Sequence, residues 1–174
     1  YTLGNSISIN GATCFNITAQ NVTLDCAGYF ITGNNVANSF GIYSNQFNTT
    51  IRNCNITNFP YGIFFSGANN GIIENVVTKS ASNGNGIQLS TSSNNTIINS
   101  TGSSVSSYGI YLSSSHNNTI INSIGNSSSS NGIYLSSSSN NTIINFTGIS
   151  LTSGRGIYLS SSSNNTISDS TGTS

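Results

Sequence analysis

Six Asp, Glu, Lys or Arg side chains and one histidine are all that 174 residues offer for acid–base, metal or phosphate chemistry: Asp25, Glu74, Asp169, Arg52, Lys79, Arg155 and His116. Glycoside hydrolysis uses two carboxyl groups, one giving a proton and one acting as base or nucleophile, so its minimum is a pair drawn from Asp25, Glu74 and Asp169. A serine hydrolase needs a histidine between its serine and an acid, whereas His116 stands alone in a serine-rich turn and reads as a solvated substitution. Nothing in the sequence has the spacing of a metal site, and no cofactor is expected. The formal net charge is zero, and three scattered cations make no basic patch able to displace counterions from nucleic acid. No apolar run approaches the roughly 20 residues that span a bilayer.

What positions these few residues is an internal repeat. Gly-Ile recurs at Gly62, Gly86, Gly109, Gly132 and Gly156, at spacings of 24, 23, 23 and 24 residues, and the later copies carry GIYLSSSHNNTIINS, GIYLSSSSNNTIINF and GIYLSSSSNNTISDS. A fixed period of this length marks a solenoid, in which each unit buries its apolar side only against its neighbours. The pattern extends back through Gly41-Ile42 and Asn16-Ile17, giving seven coils that begin near residues 16, 41, 62, 86, 109, 132 and 156. With 36 serines and 30 asparagines the composition alone would suit a disordered tract. The constant phase of Ile and Leu from copy to copy argues for order instead.

Within a coil, Ile17, Ile42, Ile63, Ile87, Ile110, Ile133 or Ile157 is followed two places later by Phe65, Leu89, Leu112, Leu135 or Leu159 in the later copies, the period of a strand. A second strand carries Leu24, Ile51, Ile73, Ile97, Ile120, Ile143 and Ile167, and Cys26, Asn53, Asn75, Asn99, Asn122, Asn145 or Asp169 two places on is expected to share its inward face. A third segment keeps Gly102, Gly125, Gly148 and Gly172 in register. Coils of 21–25 residues with three short strands predict an all-β parallel β-helix, each strand bonded to its equivalents about 4.8 Å away. The pairs Asn94-Asn95, Asn117-Asn118, Asn140-Asn141 and Asn164-Asn165 fall at the first turn, where asparagine tolerates left-handed backbone and its amide can bond the same amide one coil away.

The sentence GIYLSSSSNNTI, with NVTLDC and TIRNC upstream, resembles the right-handed parallel β-helix repeats of pectate-lyase-like, carbohydrate-binding and sugar-hydrolysing proteins and of archaeal surface proteins, over roughly residues 14–172. The resemblance implies fold more than function, because one scaffold serves lyases, hydrolases, adhesins and surface layers. Lyases of that kind need an acidic calcium site plus a basic catalyst, and no coil supplies them. A single domain over 1–174 is expected, with 1–15 a cap or incomplete coil and 16–174 the repeats. Ser170-Thr171-Gly172 is still in phase with Ser123-Ile124-Gly125 where the sequence stops. That reads as a segment of a longer solenoid, or as an end that stacks on another molecule.

The outward columns carry whatever specificity there is. Asp25, Arg52 and Glu74 occupy one outward position of three successive coils, a charge ladder in which the two carboxylates lie about 10 Å apart with a cation between them. The same column continues as Ile98, Ile121 and Ile144: an apolar strip for contact with another chain, or a pleat assigned to the wrong face. Tyr43, Phe64, Gln88, Tyr111, Tyr134 and Tyr158 form an aromatic stripe with one gap, suited to stacking on sugar rings or simply on itself. A Thr column at Thr96, Thr119, Thr142 and Thr166 lacks the paired array that an ice or mineral surface would call for. Of three cysteines, Cys26 and Cys54 fall one coil apart and are the disulfide candidate, leaving Cys14 free or deprived of an upstream partner. Eleven glycosylation sequons occur, at Asn16, Asn21, Asn48, Asn55, Asn94, Asn99, Asn117, Asn126, Asn140, Asn145 and Asn164. Together these features predict a non-catalytic structural or interaction solenoid outside the cell, in a surface layer, sheath, adhesin or filament. Its partners would be its own copies or neighbouring surface domains. The alternative is a carbohydrate-binding or polysaccharide-processing β-helix using the aromatic column.

Overall fold

The computed structural model describes all of residues 1–174 and contains strands, turns and no helix. Three parallel sheets run the length of the molecule, two of seven strands and one of eight, and successive strands of the chain go to successive sheets. One complete coil is Ile110–Ser113, Thr119–Ile121 and Ile124–Ser127. The β-branched Ile and Thr residues suit a pleated surface, and every strand between the two ends of a sheet pairs with its equivalents one coil up and one coil down. Ahead of the first full coil, Tyr1–Leu3 runs beside Asp25, and Ile7–Ser8 pairs with Ile31–Thr32.

The core is a continuous cluster of 24 buried apolar residues. Its first column runs Phe15, Ile42, Ile63, Ile87, Ile110, Ile133, Ile157, so the first coil departs from the expected alignment: Phe15 stands over Ile42, and Ile17 over Ser44. The turn sets this register. Nine residues separate Phe15 from Leu24, as nine separate Ile42 from Ile51, whereas starting at Ile17 would leave a turn two residues too short. The second column, Leu24 to Ile167, is as the repeat predicts.

The asparagines two places beyond that column do not point inward. Asn53, Asn75, Asn99, Asn122 and Asn145 sit at φ between 49° and 56°, a left-handed corner that asparagine accepts more readily than other side chains. A left-handed residue breaks the alternation of the pleat, so the inward position moves one residue on, to Cys54, Val76, Ser100, Ser123 and Phe146. Where that residue is serine, its hydroxyl bonds the backbone of the coil before: Val76 N to Ser100 Oγ at 3.2 Å, and Ser100 N to Ser123 Oγ at 3.1 Å.

The first turn bends twice, at Thr91, Ser114, Ser137 or Ser161 (φ 46–51°) and at Asn94, Asn117, Asn140 or Asn164 (φ 55–59°). Just inside the second bend is an asparagine ladder. Nδ2 of Asn95, Asn118 and Asn141 donates to Oδ1 of the next asparagine at 3.1 Å in each case, ending on Asn165. The rungs also satisfy backbone: Asn118 Oδ1 accepts from Asn95 N at 2.8 Å, and Asn118 Nδ2 donates to Ser92 O at 3.0 Å. At the third corner the glycine columns meet, and a Cβ on Gly125 would press on the Gly132 carbonyl. Glycine there is a requirement of close backbone approach.

Candidate functional site

Asp25, Arg52 and Glu74 are adjacent in register on the outer face of the second sheet. Arg52 Nε donates to Asp25 Oδ2 at 2.9 Å, and Glu74 makes no ion pair. Asp25 Oδ1 also accepts from Ala27 N at 2.8 Å and Asn53 Nδ2 at 3.0 Å. The Asn53 amide, the Ala27 N–H and Arg52 hold the Asp25 carboxyl below the usual range, so it stays ionised. An acid for glycoside cleavage needs the opposite shift, and the cation between the two carboxylates neutralises the one it touches. Asp169 occupies the left-handed corner position of the asparagine column, far down the stack from both.

His116 replaces a serine in a turn ladder and does a serine's work. Ser163 N bonds Ser139 Oγ at 3.0 Å, and one coil earlier Ser139 N bonds His116 Nδ1 at 3.1 Å. His116 Nδ1 is the acceptor in that bond, as Ser139 Oγ is in the next. No three His, Cys, Asp or Glu side chains come together.

The aromatic column is in register from Tyr43 to Tyr158 and is cut in two by Gln88, whose Oε1 accepts from Asn85 Nδ2 at 2.8 Å. Each half recruits residues that the column alone does not contain. Phe40 and Tyr61 pack with Tyr43 and Phe64 at centroid distances of 5.3–5.9 Å. Tyr108 packs on Tyr111 and Tyr134 at 4.9 and 5.0 Å. The signal was present as a three-residue echo, Phe40/Tyr43, Tyr61/Phe64, Tyr108/Tyr111 and Arg155/Tyr158, which a period of two passes over. Tyr111, Tyr134 and Tyr158 stack within 16° of parallel at 5.4 and 5.0 Å, and the Arg155 guanidinium lies 4.5 Å over Tyr158. Their faces are thus spent on one another and on Arg155. Burial raises the Tyr108 phenol, with its tyrosine neighbours adding to the effect.

Ile98, Ile121 and Ile144 continue the charge column in register and face outward, partly covered by one another. Thr96, Thr119 and Thr142 run beside them on the same strands. Two exposed apolar side chains, Val77 and Ile124, stand on the outer face of the third sheet, where they alternate with Thr101 and Thr147 and so make no uniform column.

Cys26 and Cys54 are joined in a disulfide, while Cys14 is free, partly buried, and its thiol raised by that burial. Of the sequon asparagines, Asn55 and Asn126 are partly buried. The other nine, Asn16, Asn21, Asn48, Asn94, Asn99, Asn117, Asn140, Asn145 and Asn164, are exposed.

A parallel solenoid of three sheets, with ladders at its corners, defines the class of protein. The family described as the right-handed beta helix region matches residues 40–174, and the chain belongs to that family. No curated protein and no solved structure matches the sequence.

Proposed function

We propose that the chain is a structural and interaction rod of the cell exterior, a part of a surface layer, sheath, adhesin or filament, working without catalysis. The observation that carries this reading is the outer face of the second sheet. There the three parallel strands Thr96–Ile98, Thr119–Ile121 and Thr142–Ile144 present hydroxyl and apolar columns in strict register. A repeated, uncharged face of this kind suits contact with another regular surface, a second copy or a neighbouring surface domain. The Cys26–Cys54 disulfide and the exposed sequons agree with an oxidising compartment. Imaging of the native full-length protein tests the reading: side-by-side or end-to-end arrays support it, and dispersed rods at high concentration count against it.

The carbohydrate alternative draws on the half-buried rings of Tyr43, Phe64, Tyr111, Tyr134 and Tyr158. Because the tyrosine faces are stacked against each other, a sugar would meet ring edges and hydroxyls instead of the open face that sugar stacking uses. A glycan array together with a reducing-sugar assay decides it. Hits lost on replacing Tyr111 and Tyr134 would favour the alternative, and an empty array would remove it.

A further inference from the structure

Four of the eight tyrosines have another tyrosine for a neighbour, and all four gather at the outer face of the first sheet. Tyr43 and Tyr61 touch only Phe40 and Phe64, and Tyr1 and Tyr29 pack on no ring. Strand pairing holds Tyr111, Tyr134 and Tyr158 in one column, each partly open to solvent. Their planes lie 16° and 13° from parallel at centroid distances of 5.4 and 5.0 Å. Tyr108 is as near, at 4.9 and 5.0 Å, but tilted 43° from Tyr111 and 58° from Tyr134.

A phenol that loses an electron and its proton becomes a radical whose spin rests largely on the carbons ortho to the oxygen, in lobes perpendicular to the ring. In a near-parallel stack held in register, the lobes of one ring point at the same carbons of the next, which is the approach along which a carbon–carbon bond forms. The tilt of Tyr108 turns its lobes aside. We propose that Tyr111 and Tyr134 are a site of oxidative cross-linking, coupled as dityrosine by a peroxide-driven one-electron oxidation that staples one coil to the next. Each phenol gives up one electron and one proton, one bond forms between two ortho carbons, and the hydrogen on each of those carbons moves to its ring oxygen to restore the phenol. One peroxide takes up the two electrons and two protons and leaves as two waters. Arg155 sets the preference between the stacked pairs: its guanidinium, 4.5 Å over Tyr158, opposes the positive character that ring acquires as it loses an electron. The site lies on a different sheet from the assembly face, and each can fail without the other.

The test is oxidation of the chain by a haem peroxidase with hydrogen peroxide, read by dityrosine fluorescence and by mass spectrometry of the digested monomer. A peptide pair joined through Tyr111 and Tyr134 is expected, lighter than its two parts by two hydrogens, with the Tyr134–Tyr158 pair less abundant. At micromolar protein, coupling within one chain should exceed coupling between chains by about a hundredfold, so the yield per chain should not depend on concentration. Tyr111→Phe/Tyr134→Phe keeps the ring stack and removes the phenols, and its dityrosine should fall by about tenfold or more. A urea midpoint equal to the parent's before oxidation would show that the variant still folds, and after oxidation only the parent's midpoint should rise. Three results would overturn the site: no peptide pair joined through Tyr111 and Tyr134, equal dityrosine from parent and variant, or a yield per chain that climbs with protein concentration.

Discussion

Replacing Asn118 by alanine isolates the feature that holds the coils in register. Asn118 is 1% exposed. Its Oδ1 is the partner of Asn95 N, and its Nδ2 the partner of Ser92 O, both in the preceding coil. Truncation leaves those two buried backbone groups without partners, at about 1–3 kcal/mol each, so the loss should reach about 2–6 kcal/mol. The link between Asn95 and Asn118 side chains disappears too, but Asn95 Nδ2 keeps Ala68 O and Asn141 Oδ1 keeps Asn118 N, so the ladder is interrupted at one rung. Its neighbour Asn117 is exposed at φ 56° with its side chain toward solvent. Asn117→Ala should therefore lose only roughly 1–2 kcal/mol, the penalty of an ordinary residue in left-handed backbone. Urea unfolding gives the two losses, and hydrogen exchange at Asn95 N–H shows whether the damage is local. Equal losses for the two variants, a loss under about 1 kcal/mol for Asn118→Ala, or an unchanged Asn95 exchange rate would refute the reasoning.

Further outcomes follow from the other corners and from the charge ladder. Ser137→Gly at the left-handed first bend should stabilise by about 0.5–1 kcal/mol in urea, while Gly125→Ala should destabilise by about 1–3 kcal/mol or more, because its Cβ meets backbone that cannot move aside. Replacing both Cys26 and Cys54 by serine opens a loop with a separation of 28 residues, which chain entropy puts at about 3–4 kcal/mol of lost stability. Asp25 titrates below the ordinary carboxylate range, so the stability it contributes is present above about pH 4 and lost as pH falls through its folded pKa. NMR titration should show Asn53→Ala and Arg52→Ala each raising that pKa, since the Asn53 amide and the Arg52 guanidinium both hold it down. Cys14, raised by burial, should alkylate slowly near neutrality in the folded protein and rapidly once unfolded.

The fold could be read in the sequence because a solenoid writes each structural column as a repeated letter. Gly-Ile, the second-strand Ile column and the Asn-Asn turn needed only alignment. The readings that failed did so where backbone geometry, and not side-chain type, sets the answer. Asn99 and its equivalents follow the strand period in sequence, yet their left-handed φ ends the strand and hands the inward position to Ser100. Phe15 lacks the Gly-Ile signature, and only its distance to Leu24 marks it as the first member of its column. The aromatic clusters gain Phe40, Tyr61 and Tyr108, which stand three residues before the column positions and so fall outside a period of two.

The central claim is that the outward Thr/Ile face of the second sheet joins this rod to its own kind. Sedimentation of the protein over a wide concentration range, beside the variant Ile98→Lys/Ile121→Glu/Ile144→Lys, which continues the alternation of charge from Glu74 down the same column, tests it most directly. The account predicts concentration-dependent association for the parent chain, lost in the variant while its urea midpoint holds. A parent chain that stays monomeric throughout, or a variant that associates as well as its parent, would contradict it.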